Sequence, residues 1–189
     1  MHFSKKIGNQ SRFYVSIRAL VLVFSLLLPI QTMAQDAATM PILDDIKNYQ
    51  VNSPTMVSAG LPSDKQFEAL KSAGVTKVID LIPGDRSTER SLMQSLDLSY
   101  YNVQVEWEDP SLQNFIDYVA YMNSSEGNEG ITLTHCRLNW RGAVFTYLYK
   151  VTQLNEDEAK AKKDMLAIWQ PNETWQDYID EVIEFYQSK

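Results

Sequence analysis

The sequence predicts an α/β fold in which a mostly parallel sheet of four to five strands is flanked by helices, with additional helices at the C-terminal end. Three observations lead to this prediction. Short β-rich runs alternate with amphipathic helical segments through the middle of the chain, a pattern typical of βαβ units. Only helical patterns follow the last β-rich run. No internal repeat or linker interrupts the pattern, so we expect one domain.

Four segments have the composition of strands. The clearest is residues 75–82, which are apolar almost throughout, as expected of a strand covered on both faces. The other three are residues 55–60, 99–105 and 131–135. Ligands of such sheets bind beyond the carboxyl ends of the strands. Three predicted loops share that edge: residues 83–86, 106–110 and 136–141.

Helical patterns account for most of the remaining chain. The first helix is expected to begin after Ser63, because Ser63 and Gln66 have the spacing of a capping box. The segment 111–123 has a one-sided apolar stripe. The other predicted helices cover residues 43–49, 87–96, 141–154, 156–169 and 175–187.

The first 34 residues have the three parts of a secretory signal peptide. Four basic residues precede an apolar run at 19–30, and small residues lead to Ala34. We therefore predict cleavage after Ala34 and a periplasmic or secreted protein. An uncleaved membrane anchor is the alternative, although the run is short for a membrane span. The chain would then comprise a signal peptide (1–34), a lead-in segment (35–53) and an α/β domain (54–189).

The charge of the chain limits its partners. Without the four basic residues of the first 34, 13 Lys and Arg face 24 Asp and Glu, a formal charge of −11. Nucleic acid and anionic membranes require cationic surfaces, so we expect neither as a partner after signal cleavage. The single cysteine excludes an internal disulfide. The sequence leaves the oligomeric state open.

That cysteine, Cys136, lies between the last predicted strand and a helix that begins at Arg141. Backbone amides at a helix N-terminus bind anions, and together with a fixed cation they stabilise a thiolate. We therefore predict Cys136 as a nucleophile and Arg141 as a clamp on two oxygens of a phosphate. The alternative is that Cys136 packs as a small buried hydrophobe.

Other residues of the same sheet edge complete the predicted site. The loop residues expected to bind phosphate are Arg137, Leu138, Asn139, Trp140 and Arg141. Glu108 and Asp109 are the expected donors of a proton to the leaving group. His135 is expected to orient the loop by hydrogen bonding. We expect no metal and no other cofactor, because the second histidine, His2, lies in the predicted signal peptide.

Three further side chains have two interpretations each. Trp107 and Trp140 either form an aromatic rim for the substrate or are partly buried packing residues. Asn139 either adopts a left-handed conformation or caps the loop with its side chain.

The motifs together resemble the cysteine-dependent superfamily of tyrosine and dual-specificity phosphatases. They are most similar to a small bacterial branch related to the phosphatase domain of β-lactamase-hydrolase-like proteins. Besides the His-Cys to Arg loop, the segments that carry the resemblance are residues 58–63, 66–70, 78–81, 107–110, 145–149 and 168–175. The resemblance covers roughly residues 55–180. It implies a phosphatase-like fold, Cys136 as nucleophile, Arg141 as phosphate clamp, and Glu108 in preference to Asp109 as the acid.

Two departures from the superfamily pattern lead to competing functions. Four residues, not the usual five, separate Cys136 from Arg141, and Gly142 and Ala143 stand where a Ser or Thr usually follows the arginine. The leading prediction is an exported hydrolase that cleaves a phosphorylated small molecule or protein through a phosphocysteine. The alternatives are a rhodanese-like sulfurtransferase with a Cys136 persulfide, or an inactive module that binds anions or proteins.

Overall fold

The computed structural model describes residues 1–2, 42–127 and 129–188. The chain divides into two units, Met1–Ile30 and Gln31–Lys189, and every element named below belongs to the second. Apart from Met1 and His2, the predicted signal peptide lies outside the described residues, so its cleavage stays a prediction. Within the described part of the chain, no helix combines the length and apolar character needed to cross a membrane.

A five-stranded sheet forms the centre of the described domain, as predicted. Its strands are β1 (Gln50–Ser53), β2 (Met56–Ala59), β3 (Val75–Asp80), β4 (Ser99–Asn102) and β5 (Ile131–His135). They lie in the order β1-β2-β5-β3-β4. All neighbouring pairs are parallel except β1 and β2. Because β5 is central, Cys136 follows directly at the middle of the carboxyl edge.

Strand β1 was not predicted from the sequence, which places residues 50–53 in the lead-in segment. Its four residues, Gln-Val-Asn-Ser, lack an apolar face, and none of them is fully buried. The strand exists because it pairs antiparallel with β2, Val51 opposite Val57. The end of the lead-in segment is therefore part of the sheet.

Six helices pack against the sheet in the described residues. They are α1 (Asp64–Ser72), α2 (Ser87–Ser95), α3 (Leu112–Met122), α4 (Trp140–Thr152), α5 (Glu158–Leu166) and α6 (Glu173–Gln187). Helix α1 begins as predicted: the Ser63 N–H donates to Gln66 Oε1 at 2.9 Å. Residues predicted as a helix at 43–49 instead form one short helical turn followed by turns.

The sheet separates two apolar cores. On one face, Val78 joins Phe67, Leu70 and Met93 beneath α1 and α2. On the other face, Ile79 joins a larger core contributed by α3, α4, α5 and α6. Adjacent residues of β3 thus enter opposite cores, which explains why five of its six residues are buried.

Candidate active site

The predicted nucleophile and phosphate clamp line one pocket at the carboxyl edge of the sheet. Its volume is about 270 Å³, and its lining residues are Trp107, Cys136, Arg137, Leu138, Trp140 and Arg141. The structure therefore brings together Cys136, Arg141 and three of the four loop residues between them. Asn139, the fourth, is fully buried behind the loop.

The backbone of the central strand fixes the position of Cys136. The Cys136 N–H donates to Ala59 O of β2 at 3.2 Å, and the His135 carbonyl accepts from the Leu81 N–H at 2.9 Å. The end of β5 is thus tied to both neighbouring strands. The Cys136 side chain is only 1% exposed, and it contributes to the wall of the pocket.

Arg141 is a buried cation that has no carboxylate partner in the part of the chain that the structure describes. It is only 7% exposed, and its Nε has no hydrogen-bond partner among the described residues. Its guanidinium carbon lies 5.3 Å from the centre of the Trp107 ring, an arrangement typical of a cation–π contact. A buried charge is usually paired, so an unpaired guanidinium at the wall of a pocket indicates a site for an anion.

Asn139 adopts the left-handed conformation, the first of the two interpretations that the sequence left open. Its backbone is left-handed, with φ of 62°. Its side chain makes no cap bond to the amides of α4. Instead, Nδ2 donates to Asn48 O at 2.7 Å and to Ser58 Oγ at 3.0 Å. The residue therefore fastens the loop to the lead-in segment and to β2.

The position of Asn139 explains the missing hydroxyl after Arg141. A Cβ atom added to Gly142 would collide with Asn139 Oδ1. A serine or threonine at position 142 therefore has no space while Asn139 keeps this conformation. Gly142 is therefore required as long as the Asn139 side chain holds the loop through its hydrogen bonds to Asn48 and Ser58.

All four tryptophans of the chain pack together at one side of the pocket. Trp107 contacts the other three rings at centroid distances of 5.2 to 5.6 Å. Trp169 Nε1 donates to Trp140 O at 2.9 Å, and Trp175 Nε1 donates to Trp107 O at 3.0 Å. We call these four residues the tryptophan cluster. It joins the 106–110 loop, the start of α4 and the start of α6. Trp107 and Trp140 pack together and also line the pocket, and their role as a rim for the substrate stays a prediction.

The predicted acids, Glu108 and Asp109, lie next to the pocket but do not line it. Both are exposed. They line a separate groove beside α6, together with Thr174, Asp177 and Glu181. Only Trp107 of their loop reaches the Cys136 pocket. Their role as proton donors stays a prediction.

His135 contacts a buried ionic network that the sequence analysis missed. His135 Nε2 lies 2.8 Å from Glu89 Oε1 and 3.8 Å from Asp80 Oδ1. Arg86 bridges the two carboxylates, with Nε 2.6 Å from Asp80 Oδ2 and Nη2 bonded to Glu89 Oε2. The Tyr100 hydroxyl donates to Asp80 Oδ2 at 2.8 Å. Despite their separation of 2.8 Å, Glu89 Oε1 and His135 Nε2 have no hydrogen-bond partner among the described residues, so the orienting hydrogen bond predicted for His135 stays a prediction.

The charges of this network shift the pKa values of Arg86 and Tyr100. Burial alone would lower the pKa of Arg86, but the hydrogen bond and charge of Asp80 and the charge of Glu89 outweigh burial and raise it. Burial, followed by the charges of Asp80 and Glu89, raises the pKa of Tyr100. Arg86 therefore stays charged and Tyr100 stays a hydroxyl donor at neutral pH.

Three residues of this network, Asp80, Glu89 and His135, have side chains of the types that bind metal ions. Ligand atoms of Asp80, Glu89 and His135 all lie within 4.8 Å of one another. However, Arg86 already supplies a positive charge to both carboxylates. Asp80 Oδ1 also accepts the Ile82 N–H at 2.9 Å. These contacts fit a closed ion-pair network better than an open metal site.

One signal in the sequence could have identified this network. Asp80 interrupts an otherwise apolar run in a strand that is covered on both faces. A carboxylate in such a position needs a partner, and Arg86 follows in the predicted turn.

No family model matches the sequence, and no curated protein matches it. Two crystal structures of a DUF442 phosphatase-like protein from Shewanella putrefaciens match the fold. One has 28% identity and a TM-score of 0.66, covering 78% of this chain and 98% of the other. The second has 30% identity and a TM-score of 0.63, covering 78% of this chain and 96% of the other.

More distant structures share the fold alone. TpbA of P. aeruginosa has 18% identity and a TM-score of 0.61, covering 75% of this chain and 90% of the other. The core catalytic domain of the PP-IP phosphatase SIW14 of S. cerevisiae has 14% identity and a TM-score of 0.59, covering 76% of this chain and 93% of the other.

The fold and the Cys136 to Arg141 loop define a phosphatase-like protein of the cysteine-dependent tyrosine and dual-specificity class. Within that class, the chain belongs to the DUF442 family of phosphatase-like proteins. The resemblance seen in the sequence motifs is thereby confirmed.

Proposed function

We propose that this protein hydrolyses phosphate monoesters through a phosphocysteine intermediate on Cys136. One observation carries the proposal: a buried guanidinium with an unpartnered Nε lines the same pocket as the only thiol of the chain. A dianionic phosphoryl group would pair with Arg141 and lie within reach of the Cys136 sulfur.

The reaction would proceed in two steps. The Cys136 thiolate attacks phosphorus, the ester P–O bond breaks, and a carboxylic acid donates a proton to the departing oxygen. The resulting carboxylate then accepts a proton from water, whose oxygen attacks phosphorus. The P–S bond breaks, inorganic phosphate leaves, and the thiolate is restored. Glu108 or Asp109 is proposed as the acid, with Glu108 favoured by the family resemblance.

The pocket walls support a substrate class. Trp107, Leu138 and Trp140 give the pocket apolar sides above a cationic base. TpbA has been solved in complex with phosphotyrosine, and PTPMT1 in complex with PI(5)P. We propose a phosphorylated small molecule or protein as substrate, with an apolar group next to the phosphate.

An aryl phosphate such as 4-nitrophenyl phosphate tests the proposed activity. The wild-type protein should hydrolyse it, vanadate should inhibit, and Cys136→Ser should be inactive. Because Gly142 provides no hydroxyl to assist the second step, we expect a burst of nitrophenol followed by slow steady turnover. Stopped-flow absorbance measures both phases, and quenched samples should carry phosphate on Cys136 by mass spectrometry.

The same assay separates the alternatives. A wild-type protein without activity at any pH would contradict the proposal. Sulfur added to Cys136 after thiosulfate treatment would favour a sulfurtransferase, and phosphate binding without turnover would favour an inactive anion-binding module. Among the acids, Glu108→Gln should slow hydrolysis of a poor leaving group more than Asp109→Asn does.

Export is part of the same proposal. The pattern of basic, apolar and small residues in the first 34 residues supports a cleaved signal peptide and a periplasmic or secreted location. Protein recovered from the periplasm or medium should begin at Gln35 by intact mass. Full-length chain in the membrane fraction would instead indicate an uncleaved anchor.

A further inference from the structure

The loop between Cys136 and Arg141 is held from outside by the end of the lead-in segment. Two asparagine side chains connect the segments: Asn48 Nδ2 donates to Leu138 O at 2.8 Å, and Asn139 Nδ2 donates to Asn48 O at 2.7 Å. The Leu61 N–H also donates to Arg137 O at 3.3 Å. Two successive carbonyl groups of the loop are thus bound by donors that do not line the pocket.

The direction of these carbonyl groups matters for an anion. A carbonyl oxygen facing the pocket would repel phosphate, whereas an amide N–H would bind it. A trans peptide sets N–H opposite C=O. The bond from Leu61 to Arg137 O therefore turns the Leu138 amide to the other side of the loop, away from Leu61. The pocket lies on that other side, because Arg137 and Leu138 line it whereas Asn48 and Leu61 do not.

The lead-in segment is itself firmly fixed where it meets the loop. Leu43 and Ile46 are 5% and 3% exposed in the core beneath α1. The Gly60 N–H donates to Lys47 O at 2.6 Å. A Cβ atom on Gly60 would come within 2.8 Å of the Cβ and O atoms of Lys47. The segment can therefore act as a rigid support for the loop.

We propose that Asn48 and Asn139 are positioning residues for oxyanion binding, which hold the short loop with its carbonyl groups turned out of the pocket. This inference rests on the proposed function insofar as the bound anion is a phosphoryl group. It assigns a role to residues 47–48, which lie far before Cys136 in the chain. It also explains how a loop with only four residues between Cys136 and Arg141 keeps a defined shape.

Binding of tungstate, a tetrahedral dianion that resembles phosphate, tests the proposal without requiring turnover. Calorimetry on the full chain would compare wild type with Asn48→Gly and Asn139→Gly. Both residues have a left-handed backbone, with φ of 51° and 62°, and glycine keeps access to that conformation while removing the Nδ2 donor. Loss of one positioning hydrogen bond should raise the tungstate dissociation constant about fivefold to tenfold. The matched control is Gln50→Ala in the same segment, because Gln50 Nε2 donates to Asp164 O and not to the loop.

A structural role alone would give a different result. It would lower the melting temperature without changing the affinity of the folded molecules for tungstate. An unchanged tungstate dissociation constant in both Asn48→Gly and Asn139→Gly overturns the proposal, and so does a wild-type protein that does not bind tungstate. Wild-type binding without phosphate ester hydrolysis would count against the proposed activity only. If Asn139→Gly does not fold, Asn48→Gly decides, since Asn48 is only half-buried.

Discussion

Replacement of Arg141 by methionine is expected to abolish phosphate ester hydrolysis while leaving the fold as stable as before, or more stable. Methionine keeps an unbranched side chain of similar reach in a position that is only 7% exposed. It removes a buried charge whose Nε has no partner among the described residues. A buried, unpaired charge opposes folding when no anion is bound, so its removal stabilises the folded state.

The catalytic loss should exceed the roughly 10²–10³-fold effect of removing one oxyanion donor, because Arg141 provides two donors and a charge. Arg141→Lys should recover only part of the activity, since an ammonium cannot form the bidentate fork. Steady-state kinetics and thermal melts with and without phosphate measure both effects. Arg90→Ala is the control: it removes the same charge from an exposed side chain that does not line the pocket, and it should retain the activity and the binding.

A methionine variant that unfolds, or that still gains stability from phosphate, would contradict this account. The first result would mean that Arg141 contributes to the fold itself. The second would mean that phosphate binds elsewhere, for instance at exposed basic residues.

Replacement of Trp175 by alanine is expected to have the largest effect on stability. Its side chain is fully buried, and it contacts the rings of Trp107, Trp169 and Tyr178. Truncation of a buried tryptophan costs about 3–5 kcal/mol. In a domain of this size that corresponds to a fall in melting temperature of roughly 8–16 °C. The effect should extend to the pocket, because Trp175 Nε1 donates to the carbonyl of Trp107 at 3.0 Å.

Trp175→Phe separates packing from hydrogen bonding. Phenylalanine keeps an aromatic ring but removes the N–H donor, at a cost of about 1–3 kcal/mol for the unsatisfied Trp107 carbonyl. The variant should stay folded at room temperature and show a higher KM for aryl phosphates, because the Trp107 wall is less well fixed. If Trp175→Phe lowers the melting temperature but leaves KM and kcat unchanged, the tryptophan cluster stabilises the fold without shaping the pocket.

Elements with an internal pattern were predictable from the sequence, and elements defined by a partner were not. Strand β5 and the capping box of α1 are local signals, and both occur where the sequence places them. Strand β1 has no apolar face and depends on pairing with β2, which no local pattern contains. Strand β4 ends at Asn102, earlier than predicted, although Val103 and Val105 remain buried.

The site divides in the same way. Cys136 and Arg141 are marked by their position between a strand and a helix, and the structure places both at one pocket. The contacts that fix them come from distant segments: Asn48 holds the loop, and Glu89 contacts His135. Neither residue has a local feature that distinguishes it from surface polar residues. The sequence pattern also does not identify the proton donor, because Glu108 and Asp109 are adjacent, acidic and exposed.

The contact between Asn139 and Gly142 has an evolutionary consequence. Because the asparagine side chain fills the space that a Cβ at position 142 would need, a side chain at that position requires Asn139 to change its conformation or to be replaced. A change of conformation would give up the hydrogen bonds from Asn139 Nδ2 to Asn48 O and Ser58 Oγ. We therefore expect the two positions to covary among homologues.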